Sequence, residues 1–349
     1  MILDTTLKGL VMTMVNSNKF THIYVEKDVL NHSLTNDILN KFPKANIILI
    51  NHYKDVFNRK NQDYKAQHQH QNLILAANRE THIYPGSPVC QNFDNRYFYY
   101  CSQVMNCVYD CSYCYLKGMY PSGNLVIFVN IEDIFKELET LLTKHPVYLC
   151  ISYDSDLLAL ENITGFVKKW HEFTLNHLNL SVELRTKSSG KRIFSMIKPC
   201  SRFIFAYTMT PDNITKAFEP HTPLASARLN AMKEAYIHHH PIRLCLDPVL
   251  PFTKTWQRDY TKMIGDIFIV IPADYLKDVS VGSFRISKDY LKLMRKRYPD
   301  SAVIHYPYEC SDGFYHLPDK LQEETEGFIT NEILKYMNNE KIFRWKGSI

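Results

Sequence analysis

The chain has 349 residues, of which 45% are hydrophobic and 22% are charged. This composition is ordinary for a globular protein, and the length fits one large barrel or two domains. The net charge of +5 permits a polyanionic partner but does not require one. No apolar run approaches the roughly 20 residues that span a bilayer, and Met1–Val15 lacks a basic start and a cleavage site. We expect a cytoplasmic protein without a membrane partner.

The first part of the chain predicts a small β-α-β unit, which we assign with its linker to residues 1–95. Its predicted strands and helix are His22–Glu26, Leu34–Phe42, Asn46–Ile50 and Asn72–Ala77, the second being the helix. A polar stretch, residues 58–71, contains His68 and His70 among glutamines. That composition favours a solvated loop over a metal site.

Strands and helices alternate from about residue 97 onward. Strands are predicted at Leu125–Val129, Val147–Ile151, Ser181–Thr186, Arg202–Tyr207, Ile242–Leu246 and Asp278–Gly282. Helices are predicted at Ile131–Leu142, Glu161–Leu175, Ser226–His238, Gln257–Phe268 and Lys288–Arg297, the last capped by Ser287. This order implies a parallel sheet with crossover helices, in which chemistry sits at the carboxyl ends of the strands. Polar residues follow several of these ends, namely Asp154, Ser155, Lys187, Thr208 and Asp247.

Three cysteines form the most informative cluster of the sequence. Cys107, Cys111 and Cys114 are spaced C-x3-C-x2-C in a loop that also contains tyrosines. Three thiolates suit an iron–sulfur cluster with one open iron, whereas a structural zinc site needs a fourth ligand at a standard spacing. Burial of the three as small apolar residues is the remaining alternative. The spacing, with Tyr113 before the third cysteine, resembles the radical S-adenosylmethionine (SAM) signature.

Further segments extend this likeness along most of the chain. They are Cys111-Ser-Tyr-Cys-Tyr-Leu116, Ser155-Asp-Leu-Leu-Ala-Leu-Glu161, Arg185-Thr-Lys187, Phe218-Glu-Pro220 and Arg297-Tyr-Pro299. Together they resemble the spore photoproduct lyase family. The resemblance implies an α/β fold: a partial TIM-type radical SAM barrel, assigned to residues 96–349 with a C-terminal extension, behind the small N-terminal domain.

The resemblance also implies cofactors, partners and residue roles. A [4Fe–4S] cluster on the three cysteines and SAM would generate a 5′-deoxyadenosyl radical, which repairs a methylene-bridged thymine dimer in DNA. An electron donor such as flavodoxin or ferredoxin would serve the cluster. Ser155 and Lys187 match positions that hold SAM, and Thr208 at the next strand end is grouped with them. Tyr113 and Tyr115 match tyrosines that relay a hydrogen atom.

One departure from the family concerns the hydrogen donor. Tyr153 stands where the family has its donor cysteine, so Tyr153 is the predicted donor. Cys150 lies three residues earlier and would point to the opposite face of a continuous strand. The departure favours an alternative, a radical SAM enzyme of the same family with a different substrate. A non-catalytic iron–sulfur or zinc protein is a third hypothesis.

A second departure concerns DNA contact. The family's C-terminal K-W-G-R-Y-G segment is not recognisable around residues 311–315. A basic stretch offers phosphate contacts or a solvated helix face instead. It consists of Arg285, Lys288, Lys292, Arg295, Lys296 and Arg297.

Overall fold

The computed structural model describes residues 19–87 and 89–345. Its strands are β1 (His22–Glu26), β2 (Asn46–Ile50), β3 (Leu73–Ala76), β4 (Ile83–Pro85), β5 (Phe98–Cys101), β6 (Val104–Met105), β7 (Leu125–Phe128), β8 (Val147–Cys150), β9 (Leu180–Thr186), β10 (Phe203–Thr208), β11 (Ile242–Val249), β12 (Asp278–Ser283), β13 (Arg285–Ser287), β14 (Glu309–Ser311), β15 (Phe314–His316) and β16 (Ile342–Arg344). Its helices are α1 (Ser33–Lys41), α2 (Lys54–Phe57), α3 (Tyr64–Gln69), α4 (Leu116–Met119), α5 (Ile131–Leu142), α6 (Glu161–Thr164), α7 (Phe166–Asn176), α8 (Asp212–Phe218), α9 (Ala225–Ile237), α10 (Trp256–Val270), α11 (Lys288–Arg297) and α12 (Asp319–Leu334). Within residues 19–87 and 89–345, no helix has both the length and the apolar character needed to cross a membrane.

The main sheet has the strand order β16-β12-β11-β10-β9-β8-β5-β4. Its strands from β5 to β16 pair in parallel, and β4 pairs antiparallel with β5 at the edge. Helices connect most of the parallel strands, so the predicted α/β class is confirmed. The hydrophobic runs of β8 and β10 are buried throughout, as expected for a parallel sheet covered on both faces.

A second sheet has the order β2-β1-β3-β7-β6, and a small third sheet joins β13, β15 and β14. The second sheet takes β6 and β7 from beyond residue 95, where the sequence had placed the start of the barrel. The division into residues 1–95 and 96–349 stays a prediction. The arrangement matters for the site because the cysteine loop leaves β6 and returns into β7, so both of its ends belong to the second sheet.

The predicted elements appear with their ends shifted by a few residues. The helix predicted at 161–175 is divided, because Gly165 adopts a φ of 64° between α6 and α7. This left-handed conformation is open to glycine at little cost. Ser287 caps α11 as predicted, since its hydroxyl accepts a hydrogen bond from the Tyr290 N–H.

The polar stretch 58–71 was wrongly predicted to be a solvated loop. Residues 64–69 form α3, on which Tyr64 and His68 lie one turn apart and are both buried. Their rings stack with centroids 5.7 Å apart, and the Tyr64 hydroxyl donates to Asn106 Oδ1 at 3.2 Å. The glutamine-rich composition did not reveal this buried face of α3. Through Tyr64, the face contacts Asn106 at the start of the cysteine loop. His70 is exposed.

Candidate active site

A cavity of about 650 Å³ opens at the carboxyl ends of the main-sheet strands. It begins where β8, β9, β10, β11 and β12 end. All nine residues predicted from the sequence to form the site line this one cavity: Cys107, Cys111, Tyr113, Cys114, Tyr115, Tyr153, Ser155, Lys187 and Thr208. The predicted residues come from four separate segments of the chain, so the fold brings together what the sequence only suggested.

The second sheet fixes the first half of the cysteine loop. Asn106 turns the chain with a φ of 70°. Its side-chain amide donates to the carbonyl oxygens of Ser122 and Asn124, each at 2.7 Å. The Gln71 amide donates to the Cys107 carbonyl at 2.9 Å. The loop therefore starts from a rigid corner, because each of these bonds satisfies a buried backbone carbonyl.

The Phe218-Glu-Pro220 segment holds the second half of the loop. The Ser112 N–H donates to the Phe218 carbonyl at 2.7 Å, and the Asp110 N–H donates to the Pro220 carbonyl at 3.1 Å. The Tyr113 hydroxyl donates to the carboxylate of Glu219. The Phe218-Glu-Pro220 segment is about a hundred residues away from the cysteines in the chain, but in the fold it packs directly against their loop.

Glu219 is fully buried at the centre of this contact. It forms an ion pair with Arg228, accepts a hydrogen bond from Thr210 at 2.9 Å, and lies 3.9 Å from the Lys187 ammonium. Burial alone would raise the pKa of Glu219, but the charges of Arg228 and Lys187, with the Tyr113 hydrogen bond, lower it to about 2. Glu219 is therefore ionised and orients both Tyr113 and Lys187. Sequence reasoning had assigned it no role.

The three cysteines are free thiols that line the cavity. Burial raises the pKa of Cys111 to about 12, against the opposing charge of Lys187. Cys107 Sγ accepts a hydrogen bond from the Tyr109 N–H at 3.5 Å. Within the described ranges, no three His, Cys, Asp or Glu side chains are arranged around a single metal ion. The thiolates of a [4Fe–4S] cluster lie farther apart than the ligands of a single metal ion, because the three thiolates bind three separate irons.

Ser155 and Lys187 present polar groups to the cavity from the ends of β8 and β9. Ser155 Oγ is buried and lacks a hydrogen-bond partner among the described residues. A buried hydroxyl in this state is suited to a ligand's polar group. Asp156 secures both strand ends, because its carboxylate accepts from the Thr186 hydroxyl at 2.8 Å and from the Lys187 N–H at 2.7 Å. A hydroxyl and an ammonium group of this kind can bind a ligand's hydroxyl groups and a carboxylate.

Tyr115 and Tyr153 lie together on one side of the cavity. The Tyr115 hydroxyl lies 2.7 Å from the Tyr153 carbonyl oxygen and 3.1 Å from Asp154 Oδ1. The Tyr153 ring stacks on Tyr100 with centroids 4.1 Å apart and planes inclined by 23°. Its hydroxyl lies 3.5 Å from Cys90 Sγ. Tyr153 is thus held by its ring, and its hydroxyl faces a thiol from another loop.

The expectation that Cys150 and Tyr153 point to opposite faces depended on a strand that continues to residue 153. Strand β8 ends at Cys150, so the alternation of a strand does not continue to residue 153. Cys150, Tyr153 and Cys90 all line the cavity. Cys90 was missed as a site residue because it lies in an irregular loop, where no sequence period predicts the direction of a side chain.

The family model of spore photoproduct lyase matches residues 19–305. The chain belongs to the spore photoproduct lyase family. No curated protein matches the sequence.

Solved structures of the family show the same fold. A tyrosine-to-phenylalanine variant of spore photoproduct lyase superposes with a TM-score of 0.79 at 17% identity, covering 97% of this chain and 100% of that one. A double variant with bound AdoMet and dinucleoside spore photoproduct has a TM-score of 0.80 at 17% identity, with the same coverage. The lyase in complex with the dinucleoside alone has a TM-score of 0.78 at 17% identity, covering 96% and 99%.

Proposed function

We propose that this chain is a radical SAM lyase that repairs the spore photoproduct, a methylene-bridged thymine dimer, in DNA. The observation that carries the proposal is the cavity shared by the three loop cysteines and the polar residues at the strand ends. Membership of the spore photoproduct lyase family supports it, as does the relative that was solved with AdoMet and the dinucleoside. We place the reaction in the cytoplasm, where DNA is accessible.

Cys107, Cys111 and Cys114 would hold a [4Fe–4S] cluster. When bound, the cluster supplies the electron that cleaves SAM into methionine and a 5′-deoxyadenosyl radical. A low-potential protein of the flavodoxin or ferredoxin class would deliver that electron. The loop's own contribution is rigidity, because both halves are hydrogen-bonded to neighbouring segments before any cofactor arrives.

Three polar residues would orient SAM above the cysteines. Ser155 offers its unpartnered hydroxyl, and Thr208 offers a side chain at the end of β10. Lys187 supplies a positive charge, held by Glu219 at 3.9 Å and above the Tyr113 ring at 5.5 Å. An ammonium in this position suits the methionine carboxylate, since a charge-assisted hydrogen bond is stronger than a neutral one.

The 5′-deoxyadenosyl radical would take a hydrogen atom from C6 of the dimer, and the methylene bridge would then break to leave a radical on the methylene carbon of one thymine. The tyrosines would take part in returning a hydrogen atom to that product radical. The Tyr113 hydroxyl is hydrogen-bonded to Glu219, and the Tyr115 hydroxyl is hydrogen-bonded to the Tyr153 carbonyl and to Asp154. Of the three predicted catalytic tyrosines, Tyr153 alone directs its hydroxyl toward a group that can itself exchange a hydrogen atom, the Cys90 thiol.

DNA phosphates would contact one face of α11, which flanks the cavity. The arginines predicted for this task are used within the protein: Arg295 donates to the Ile304 carbonyl and Arg297 to the Tyr120 carbonyl. The three lysines of the helix, spaced four residues apart on one exposed face, are Lys288, Lys292 and Lys296.

The proposal is tested by anaerobic reconstitution with iron and sulfide, followed by assay on a dinucleoside spore photoproduct. We expect SAM-dependent conversion of the dinucleoside into two thymidines, together with 5′-deoxyadenosine. A reconstituted protein that forms 5′-deoxyadenosine but no thymidine would reject the substrate while leaving the radical SAM chemistry in place.

A further inference from the structure

A second thiol stands beside Tyr153 in the cavity. Cys90 Sγ lies 3.5 Å from the Tyr153 hydroxyl, although 63 residues separate them in the chain. Cys90 belongs to the loop between β4 and β5 and lines the cavity with Tyr153. The position of the missing donor cysteine is therefore occupied by a phenol in contact with a thiol from a different segment.

The loop that carries Cys90 is anchored to the main sheet. Arg285 Nε donates to the Val89 carbonyl at 2.7 Å. The same guanidinium makes two bonds to the Asp247 carboxylate, at 2.9 and 3.1 Å. The Cys90 N–H also donates to the Ser87 carbonyl at 3.0 Å. Arg285 is a positioning residue in this respect, since it fixes the thiol relative to the carboxyl end of β11.

The environment keeps Cys90 as a thiol. Burial raises its pKa, although the hydrogen bond with Tyr153 and the charge of Arg285 act in the opposite direction. Burial likewise raises the pKa of Tyr153. At neutral pH both groups therefore retain their hydrogen. This matters because a thiol can give a hydrogen atom to a carbon radical, and a thiolate has none to give.

Cys150 is the competing thiol, and it is the more buried of the two. It ends β8, where it pairs with Glu183 of β9, and it is almost fully buried. Cys90 is partly exposed, and its sulfur lies 3.5 Å from the Tyr153 hydroxyl.

We propose that Cys90 gives the hydrogen atom that quenches the product radical, and that Tyr153 holds the thiol and replaces the atom it loses. The inference rests on the proposed function and removes the reason for assuming a different substrate. In the first step the Cys90 S–H bond breaks and a C–H bond forms on the thymine methylene radical, leaving a thiyl radical without a change of charge. The Tyr153 O–H bond then breaks as the S–H bond reforms.

The remaining tyrosyl radical on Tyr153 needs one electron and one proton. The low-potential protein that reduces the cluster supplies the electron, and solvent supplies the proton. The stacked rings of Tyr153, Tyr100 and Tyr84 give a contact path, with centroid distances of 4.1 and 5.4 Å.

Three variants separate the roles. In Cys90→Ser, whose O–H bond is too strong to donate, we expect 5′-deoxyadenosine formation within about twofold of wild type and a loss of thymidine per 5′-deoxyadenosine on the order of tenfold or more. In Tyr153→Phe we expect about one dinucleoside repaired per enzyme, then a stop, because the thiol is present but not restored. Cys150→Ser is the matched control and should keep the wild-type yield. An unchanged yield in Cys90→Ser, or a loss in Cys150→Ser instead, overturns the proposal.

A structural role for Cys90 gives a different result. If Cys90→Ser and Cys90→Ala both lose 5′-deoxyadenosine formation, the thiol supports the fold and the proposal is overturned. If wild type itself forms no thymidine, the proposed function fails first, and the Cys90 variants then have no yield to lose.

A second measurement does not depend on turnover. The dinucleoside spore photoproduct should slow the alkylation of Cys90 by N-ethylmaleimide, measured by peptide mass spectrometry, because the substrate would cover the thiol. The exposed Cys310 is an internal reference whose alkylation should not change. A rate at Cys90 that the dinucleoside leaves unchanged contradicts its position beside the substrate.

Discussion

Replacing Glu219 with glutamine should destabilise the protein strongly, because it leaves the Arg228 guanidinium buried without its counter-charge. Both side chains of this ion pair are fully buried. Removal of one partner from such a pair costs about 3–5 kcal/mol. The pKa gives a consistent figure: a value of about 2 against the ordinary 4.5, at about 1.4 kcal/mol per pKa unit, corresponds to about 3 kcal/mol.

The pH dependence of stability gives the sign of this effect. Since the pKa of Glu219 is lowered on folding, its contribution is complete above pH 4.5 and is lost as the pH falls through about 2. Urea unfolding of wild type and Glu219→Gln should therefore differ most near neutral pH, and the difference should shrink in acid. Glu234→Gln is the control, because Glu234 is partly exposed and lies 3.8 Å from Lys191; it should cost well under about 1 kcal/mol. A Glu219→Gln protein as stable as wild type would refute the reasoning.

Three further predictions concern the ligands. Ser155→Ala should raise the KM for SAM by roughly 3–10-fold with little change in kcat, because a lost hydrogen bond costs about 1 kcal/mol; an unchanged KM would remove Ser155 from the SAM site. Cys111→Ala should abolish 5′-deoxyadenosine formation, while the exposed-cysteine control Cys310→Ala should not; full activity of the first would contradict the cluster assignment. Replacing the three exposed α11 lysines with glutamine should weaken binding to damaged duplex DNA and reduce the slope of log K against log salt by up to about 3, while dinucleoside turnover stays unchanged; an unchanged slope would place the DNA elsewhere. The lysines are Lys288, Lys292 and Lys296.

The sequence predicted the local elements of the fold well, because their signals are local. The hydrophobic run of β10 and the cap of α11 at Ser287 can each be recognised within a few residues. The partners of a strand cannot be recognised in that way. Strand β7 follows the cysteine loop, yet it pairs with β3 about fifty residues earlier, and no period in the sequence distinguishes one parallel sheet from another.

The site was predicted where its residues follow strands or carry a motif. The cysteine spacing, the polar strand ends and the family resemblance led to nine residues that line one cavity. Two groups of site residues were not predicted, for physical reasons. Glu219 and Arg228 meet through a buried contact that a family motif marks without explaining, and Cys90 reaches Tyr153 from a loop whose path depends on Arg285.

The central claim is that the loop cysteines and the strand-end residues form one radical SAM site. The most direct measurement is 5′-deoxyadenosine formed by the anaerobically reconstituted, chemically reduced protein in the presence of SAM, with the iron and sulfide content determined on the same sample. We predict about four irons and four sulfides per chain, and 5′-deoxyadenosine that appears only after reduction. A sample with a full cluster that leaves SAM intact would contradict the account.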